Sequence, residues 1–305
     1  MTHVRSFADL YALTNGQGAQ CLSVAGGDDP EVMKAIVTAL GAGLVTRVLV
    51  TGQADGIKAG LPLNLLDKVE IINAKDAADC ATLAVEAVRK GNAGILMKGH
   101  VDSRSYLSAI VNRETGIRAG GVLSNVTVAE MPSYPKFLAA TDNGIIPLPT
   151  LEQKRQIILN SAPLFRGFGI DCVKVAALAA TEKVIEGNAS TEDASTLATE
   201  SRSGAFSGFV VEGPFGYDVA VSKAAAKTKK LGASQVAGDA DLLVLPTIDA
   251  ANAVAKSWKF HGQAQTGSIV LGAQVPVLLN SRSDSVERRI NALLLALAVR
   301  NGQKS

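Results

Sequence analysis

Residues Val275 to Glu287 combine a buried strand, a polar loop and a helix start within thirteen positions of the sequence. The loop is Asn280-Ser281-Arg282-Ser283-Asp284, which offers hydroxyls and a guanidinium where a strand ends. Unpaired backbone N–H groups and the helix dipole make such a place attractive to phosphate or another oxyanion. Arg282 can add a bidentate contact to that oxyanion. Asp284 followed three residues later by Glu287 predicts a capping box at the helix start. The plainer alternative is that Ser283 and Asp284 only cap the helix while Arg282 points into solvent.

Two further stretches carry residues of the right type. A strand at Gly208 to Val211 runs into Gly213-Pro214, then Gly216-Tyr217-Asp218 and an Ala-rich helix. A Gly-Pro loop lets the backbone approach a ligand closely, although an ordinary turn between strand and helix reads the same way. Met97-Lys98-Gly99-His100 ends another buried strand in a cation, and Gly116-Ile117-Arg118 puts a second cation among glycines. Either cation suits an anionic substrate, or is a solvated charge. His100 is a candidate general base or simply a polar loop residue.

Several common site classes are missing from the sequence. It has no GxxxxGK[ST] phosphate loop, no GxSxG elbow, and no GxGxxG after its first strand. Its three histidines, His3, His100 and His261, are not spaced as metal ligands. No metal site or resident cofactor is therefore expected.

The elements that hold these residues alternate between short apolar runs and amphipathic stretches, the mark of repeated strand–helix units. Strands are predicted at Gln20–Ala25, Arg47–Thr51, Gly94–Met97, Val122–Val128, Val173–Leu178, Gly208–Val211, Leu242–Leu245, Ser268–Leu271 and Val275–Leu279. Helices are predicted at Pro30–Leu40, Ala77–Lys90, Leu151–Phe165 and Ser285–Val299. Asp29-Pro30 supplies a cap and a proline for the first helical turn. Hydrophobic residues make up 47% of the chain and aromatics only 4%, so the core must be built from Ala, Val, Leu and Ile. That composition suits parallel strands covered by helices.

At 305 residues the chain is expected to form about two domains. Prolines 132, 135, 147 and 149 mark a crossing between them, and the last helix is expected to return to the first domain. The expected division is residues 1–135 with 284–305, and residues 136–283. A net charge of +2 with scattered Lys and Arg argues against nucleic-acid binding. The longest apolar run, near Ala292 to Val299, falls well short of the roughly 20 residues that span a bilayer. No apolar signal region opens the chain, and Cys21, Cys80 and Cys172 are isolated; they are read as reduced, buried residues of a cytoplasmic protein.

These motifs resemble those of the phosphate acetyltransferase and phosphate butyryltransferase family, from Val24 to Ala298. The most specific parts are Ala240-Asp241-Leu242-Leu243-Val244-Leu245-Pro246, Asp249-Ala250-Ala251-Asn252 and Asn280-Ser281-Arg282. Leu96-Met97-Lys98-Gly99 and Ala180-Thr181-Glu182-Lys183-Val184 look more like the butyryl branch, as does the compact length. The resemblance implies two α/β/α lobes with a cleft between them, like the isocitrate and isopropylmalate dehydrogenases. It implies reversible transfer of an acyl group between coenzyme A, here a substrate, and inorganic phosphate, by way of acyl-CoA and acyl phosphate in a ternary complex. Ser281 matches the family serine held to stabilise the transition state, and Arg282 and Arg118 match its oxyanion-holding arginines. Lys98, Gly213, Pro214, Asp218, Asn252 and Ser283 are the expected phosphate or CoA contacts. A homo-oligomer is expected by the same analogy.

One position departs from the family pattern. Many acetyl-branch members carry an aspartate, proposed as the thiol base, seven residues after the serine; here that residue is Arg288. Asp284 is the candidate base that remains in the loop, and a positive field that lowers the thiol pKa is the alternative. Two other functions stay open at this point: a CoA- or acyl-phosphate-binding module without turnover, and a metal- and NAD-dependent dehydrogenase of the same architecture.

Overall fold

The computed structural model describes residues 4–14, 20–281 and 284–304. The chain opens with α1 (Phe7–Thr14), β1 (Cys21–Ala25), α2 (Pro30–Gly41), β2 (Arg47–Gly52), α3 (Ala54–Ala59), β3 (Val69–Asn73), α4 (Ala77–Arg89), β4 (Ile95–Lys98) and α5 (Ser103–Val111). It continues through β5 (Ser124–Glu130), β6 (Leu138–Thr141), α6 (Leu151–Asn160), α7 (Ala162–Gly167), β7 (Val173–Leu178), α8 (Ala189–Arg202) and β8 (Phe209–Phe215). Then come α9 (Tyr217–Val221), α10 (Lys223–Thr228), β9 (Leu242–Val244), α11 (Ile248–Phe260), β10 (Gln265–Leu271), β11 (Val277–Leu278) and α12 (Val286–Gly302). Contacts divide the chain into two compact units. A terminal unit holds Phe7–Leu123 and Gly267–Lys304; a central unit holds Ser124–Thr266, with residues 4–6 joined to it by the Val4 N to Phe168 O bond.

In the terminal unit the strand order is β3-β2-β1-β4-β11-β10. Every pairing is parallel except that of β10 with β11. β4, in the middle, is buried at all four residues, as a strand covered on both faces requires. In the central unit the order is β5-β6-β9-β7-β8, parallel except for β5 with β6. The segments around these units follow their pairings: 124–135 leads into the β5–β6 hairpin, while 267–283 carries β11, which pairs with β4.

Local chemistry explains most boundaries. Asp29 caps α2 by accepting from Glu31 N and Val32 N, with a proline in the first turn. Thr150 and Gln153 form a full capping box on α6. The single helix expected over Leu151–Phe165 is two, because Ser161 closes α6 and Pro163 starts α7. β3 and β6 escape the apolar-run criterion: β3 is half exposed and β6 is only four residues long. α12 buries an unbroken run from Ala292 to Val299 and packs on α1 and α2. Each large side chain in that run contributes on the order of 1.5–3 kcal/mol. Of the cysteines only Cys80 is buried; Cys172 is exposed, at the polar start of β7 rather than in the core. No helix among the described residues is long and apolar enough to cross a membrane.

The ends of β1 and β4 meet at unusually close range. Gly99 N donates to Ala25 O at 2.9 Å and His100 N donates to Gly26 O at 2.7 Å. A Cβ on Gly99 would stand 2.0 Å from Gly26 O and 2.8 Å from Ala25 O, both backbone atoms that cannot swing aside. Gly99→Ala is therefore expected to destabilise the protein by at least about 2 kcal/mol, read as a lowered midpoint in urea unfolding. An unchanged midpoint would show that the two strand ends can separate freely.

Candidate active site

Three neighbouring parallel strands of the terminal unit end on one edge. β1 runs into Gly26-Gly27-Asp28-Asp29 and the start of α2, β4 into Gly99-His100, and β11 into Asn280-Ser281 and the start of α12. In open α/β sheets this carboxyl edge is where ligands bind, and each helix start adds unpaired N–H groups.

The loop after β11 is held from several sides. Ser281 N donates to Asp284 Oδ2 at 2.8 Å, and Asp284 N returns a bond to Ser281 O at 3.1 Å. Arg289 Nη2 also donates to Ser281 O, at 3.3 Å. The cap falls one residue later than predicted and without the glutamate of a capping box: Ser285 caps α12 by accepting from Arg288 N, while the Asp284 carboxylate accepts from Ser281. Tyr106, wholly buried on α5, sends its hydroxyl to Leu278 O at 3.3 Å and fixes the strand end beneath the loop. Arg282 and Ser283 lie outside the described residues.

Among the described residues, two cations are buried along this edge. Lys98 is 3% exposed, with Nζ 3.5 Å from Gly99 O. Arg289 is 4% exposed, and its Nε and Nη1 have no hydrogen-bond partner among the described residues. Burial holds its guanidinium below the ordinary range, opposed by the charges of Asp284, Asp29 and Glu31. Asn280, equally buried, has an unpartnered Oδ1. His100 is half exposed, with Nδ1 3.8 Å from Asp29 Oδ2. Arg289 was not among the residues singled out by sequence. The signal was present: it lies three and four positions before Ala292 and Leu293, on the face that α12 buries.

Arg118 is not brought to this edge. It bridges Ala273, Ala119 N donates to Gly272 O, and Gln274 N donates to Ile117 O, all at the amino ends of the strands. From Val275 to Ser281 the chain advances roughly 20 Å along β11 and beyond it. The physical cause is α5, which carries the chain from the carboxyl end of β4 back across the sheet before Arg118 is reached. Arg118 is exposed, and its Nη2 donates to Gly121 O at 2.7 Å.

The other expected contacts lie in the central unit. Gly213 and Pro214 are not in a loop but inside β8, the last strand in the order and so one that tolerates a proline. Gly213 has φ +156°, and a Cβ there would meet Ala177 O at 2.5 Å, beside the register shift between β7 and β8. Past the carboxyl end of β8, Gly216 N donates to Glu182 Oε1 at 3.2 Å. Lys229 Nζ lies 2.7 Å from the same oxygen and 3.6 Å from Asp218 Oδ2. The bond from Lys229 lowers the Glu182 carboxyl below its usual range. Asn252 lies on α11 and donates to Asn143 O at 3.2 Å, three strand positions away from Asp218. Asn143 in turn is tied to Asn125 and Thr127, and Asp142 accepts from four backbone N–H groups. Burial raises the Asp142 carboxyl, and those four bonds work against the shift. This Asp142-Asn143 knot carries no motif that sequence reading could single out.

A mostly parallel α/β sheet whose strand ends gather buried cations, glycines and helix starts is an arrangement suited to binding anions at its carboxyl edge. Residues 68–297 match the family model described as "Phosphate acetyl/butaryl transferase". The chain is 36% identical over 289 residues to the probable phosphate butyryltransferase of Bacillus subtilis (strain 168), covering 95% of this chain and 96% of that one. Its structure is similar to that of a branched-chain phosphotransacylase from Enterococcus faecalis V583, with TM-score 0.81, 29% identity, and coverage of 92% of this chain and 98% of that one. A likeness in fold alone extends to a 4-hydroxythreonine-4-phosphate dehydrogenase, described as putative, from Salmonella typhimurium: TM-score 0.55, 13% identity, 92% of this chain and all of that one. The chain belongs to the phosphate acetyl/butaryl transferase family.

If Asp284 serves to clamp Ser281, the effect is measurable without turnover. Asp284→Ala is expected to speed hydrogen exchange at the Ser281 amide by at least about tenfold, while Asp284→Asn, which keeps an acceptor oxygen, leaves it largely protected. Equal exchange in all three proteins would remove the clamp.

Proposed function

We propose that this chain is a phosphate acyltransferase that moves an acyl group of acetyl to butyryl size reversibly between coenzyme A and inorganic phosphate. The supporting observation is the Ser281 turn: a serine whose backbone is fixed on both sides, at a strand end, within the stretch that the family model matches. The activity named for the relatives favours this reading over a dehydrogenase or a binding module.

In the direction of thioester synthesis the CoA sulfur forms a bond to the carbonyl carbon of the acyl phosphate. The carbonyl oxygen becomes an oxyanion, then the bond to phosphate oxygen breaks and phosphate leaves with the electron pair. The thiol proton goes to solvent or to the leaving phosphate, so the reaction balances without a cofactor. In this reading the Ser281 hydroxyl and Arg282 guanidinium stabilise the oxyanion and the departing phosphate, the largest electrostatic demand of the reaction. Ser283 and Lys98 complete the phosphate contacts. Asp284 acts as a clamp rather than the thiol base, because its Oδ2 is already engaged by Ser281 N. Positive charge at the edge then lowers the thiol pKa directly.

CoA is assigned to the carboxyl edge of the central unit, with Asp218 and Asn252 as polar contacts and Gly213 and Pro214 shaping β8. Two α/β/α lobes around a cleft, a cytoplasmic location and a homo-oligomer belong to the same proposal.

The test is CoA release from acetyl-, propionyl- and butyryl-CoA, each with and without inorganic phosphate. Phosphate-dependent release is expected, and Ser281→Ala and Arg282→Ala should each lower it about 100- to 1,000-fold. Near-normal rates in both variants would take the loop out of the mechanism. Asp284→Asn should stay within about threefold of the parent, whereas loss of a general base typically costs about 100-fold or more.

A further inference from the structure

Arg289 is an expensive residue for stability alone. A guanidinium taken out of water is destabilising unless its donors are satisfied, and here two of its three nitrogens have no partner among the described residues. Its bond to Ser281 O is a long 3.3 Å, and Asp284 N already serves that carbonyl at 3.1 Å. An apolar side chain of similar length would fill the space on the buried face of α12 without that penalty. Residues kept against such a cost tend to sit at functional sites.

Its surroundings say what the charge is for. Arg289 stands one turn into α12, directly behind the turn that presents Ser281. Lys98, the other cation buried along this edge, ends the adjacent strand β4. Asn280 Oδ1, next to Ser281, also lacks a partner, so two of the buried polar side chains at this turn are incompletely satisfied. Arg288, the neighbour in sequence, is partly exposed.

We infer that Arg289 is a positioning residue for the acyl transfer: it fixes the Ser281 carbonyl, and its incompletely paired charge keeps the carboxyl edge of β11 positive for inorganic phosphate. This rests on the phosphate acyltransferase reading. It goes beyond that reading in assigning function to a residue that touches no substrate, and it makes Arg289, not Arg288, the functional member of the Arg288-Arg289 pair. A displacement of Ser281 by about 1 Å is enough to cost on the order of 100-fold in rate.

The experiment compares Arg289→Met, Arg289→Lys and Arg288→Met with the parent protein. Three quantities are read: kcat and phosphate KM for CoA release, melting temperature, and the rise in melting temperature produced by inorganic phosphate. Arg289→Met is expected to melt no lower than the parent yet lose about 30- to 100-fold in kcat/KM for phosphate, and to lose most of the phosphate-induced rise. Arg289→Lys, which restores charge without the fork, should recover part of both, and Arg288→Met should behave as the parent does. A parent-like rate in Arg289→Met overturns the inference. So does a melting temperature that falls in step with activity in both Arg289 variants, which would mark the residue as structural only. If the parent shows no phosphate-dependent release, the functional reading fails separately. The phosphate-induced rise then decides alone: its loss in Arg289→Met supports the role of the charge, and its retention overturns it.

Discussion

The terminal unit depends on a backbone crossing at the end of β4. Gly99 lies so close to Gly26 that the two strand ends share their hydrogen bonds, and no side chain fits between them. That contact sets the height at which β1 and β4 stop. β11 is in parallel register with β4, Leu278 opposite Met97, so its end is set by the same constraint. Lys98, Asn280 and Ser281 then emerge on one edge without any of them being placed individually. Tyr106 adds a second brace by tying α5 to Leu278. The Ser281 turn is thus carried by deeply packed strands of the unit and not by a long surface loop, the fixed geometry that the proposed acyl transfer needs.

Much of this was legible from residue order. Apolar runs located β1, β2, β4, β5, β7, β8 and β9, because buried strands leave a continuous signal, while the short β6 did not. Caps such as Asp29-Pro30 read correctly because the bonds they make are local. Less legible is position that depends on what a helix does between two motifs. Gly116-Ile117-Arg118 looks like a site segment on its own, yet α5 returns the chain to the opposite edge before it. Gly213 and Pro214 carry loop composition but lie in β8, where the close approach of Ala177 O leaves no room for a Cβ on Gly213. Asp142 gathers four N–H groups from residues on either side of β6, a pattern no single window of sequence contains.

Beside Ser281 the sequence sets three arginines, Arg282, Arg288 and Arg289, against Asp284 and Glu287. In many acetyl-branch relatives an acidic residue is expected seven positions after the serine, and a reaction that must deprotonate a thiol makes that natural. This chain has arginine there and a second, buried arginine at the next position. Asp284 accepts the Ser281 amide on Oδ2, which orders the turn. The two facts agree if the site promotes thiolate by field rather than by a proton acceptor: a buried cation with little pairing stabilises an incoming anion far more than a solvated one does. Burial strengthens that field and raises its cost to folding together. On the proposed reading, the penalty in the fold and the benefit in the reaction would come from one desolvated charge.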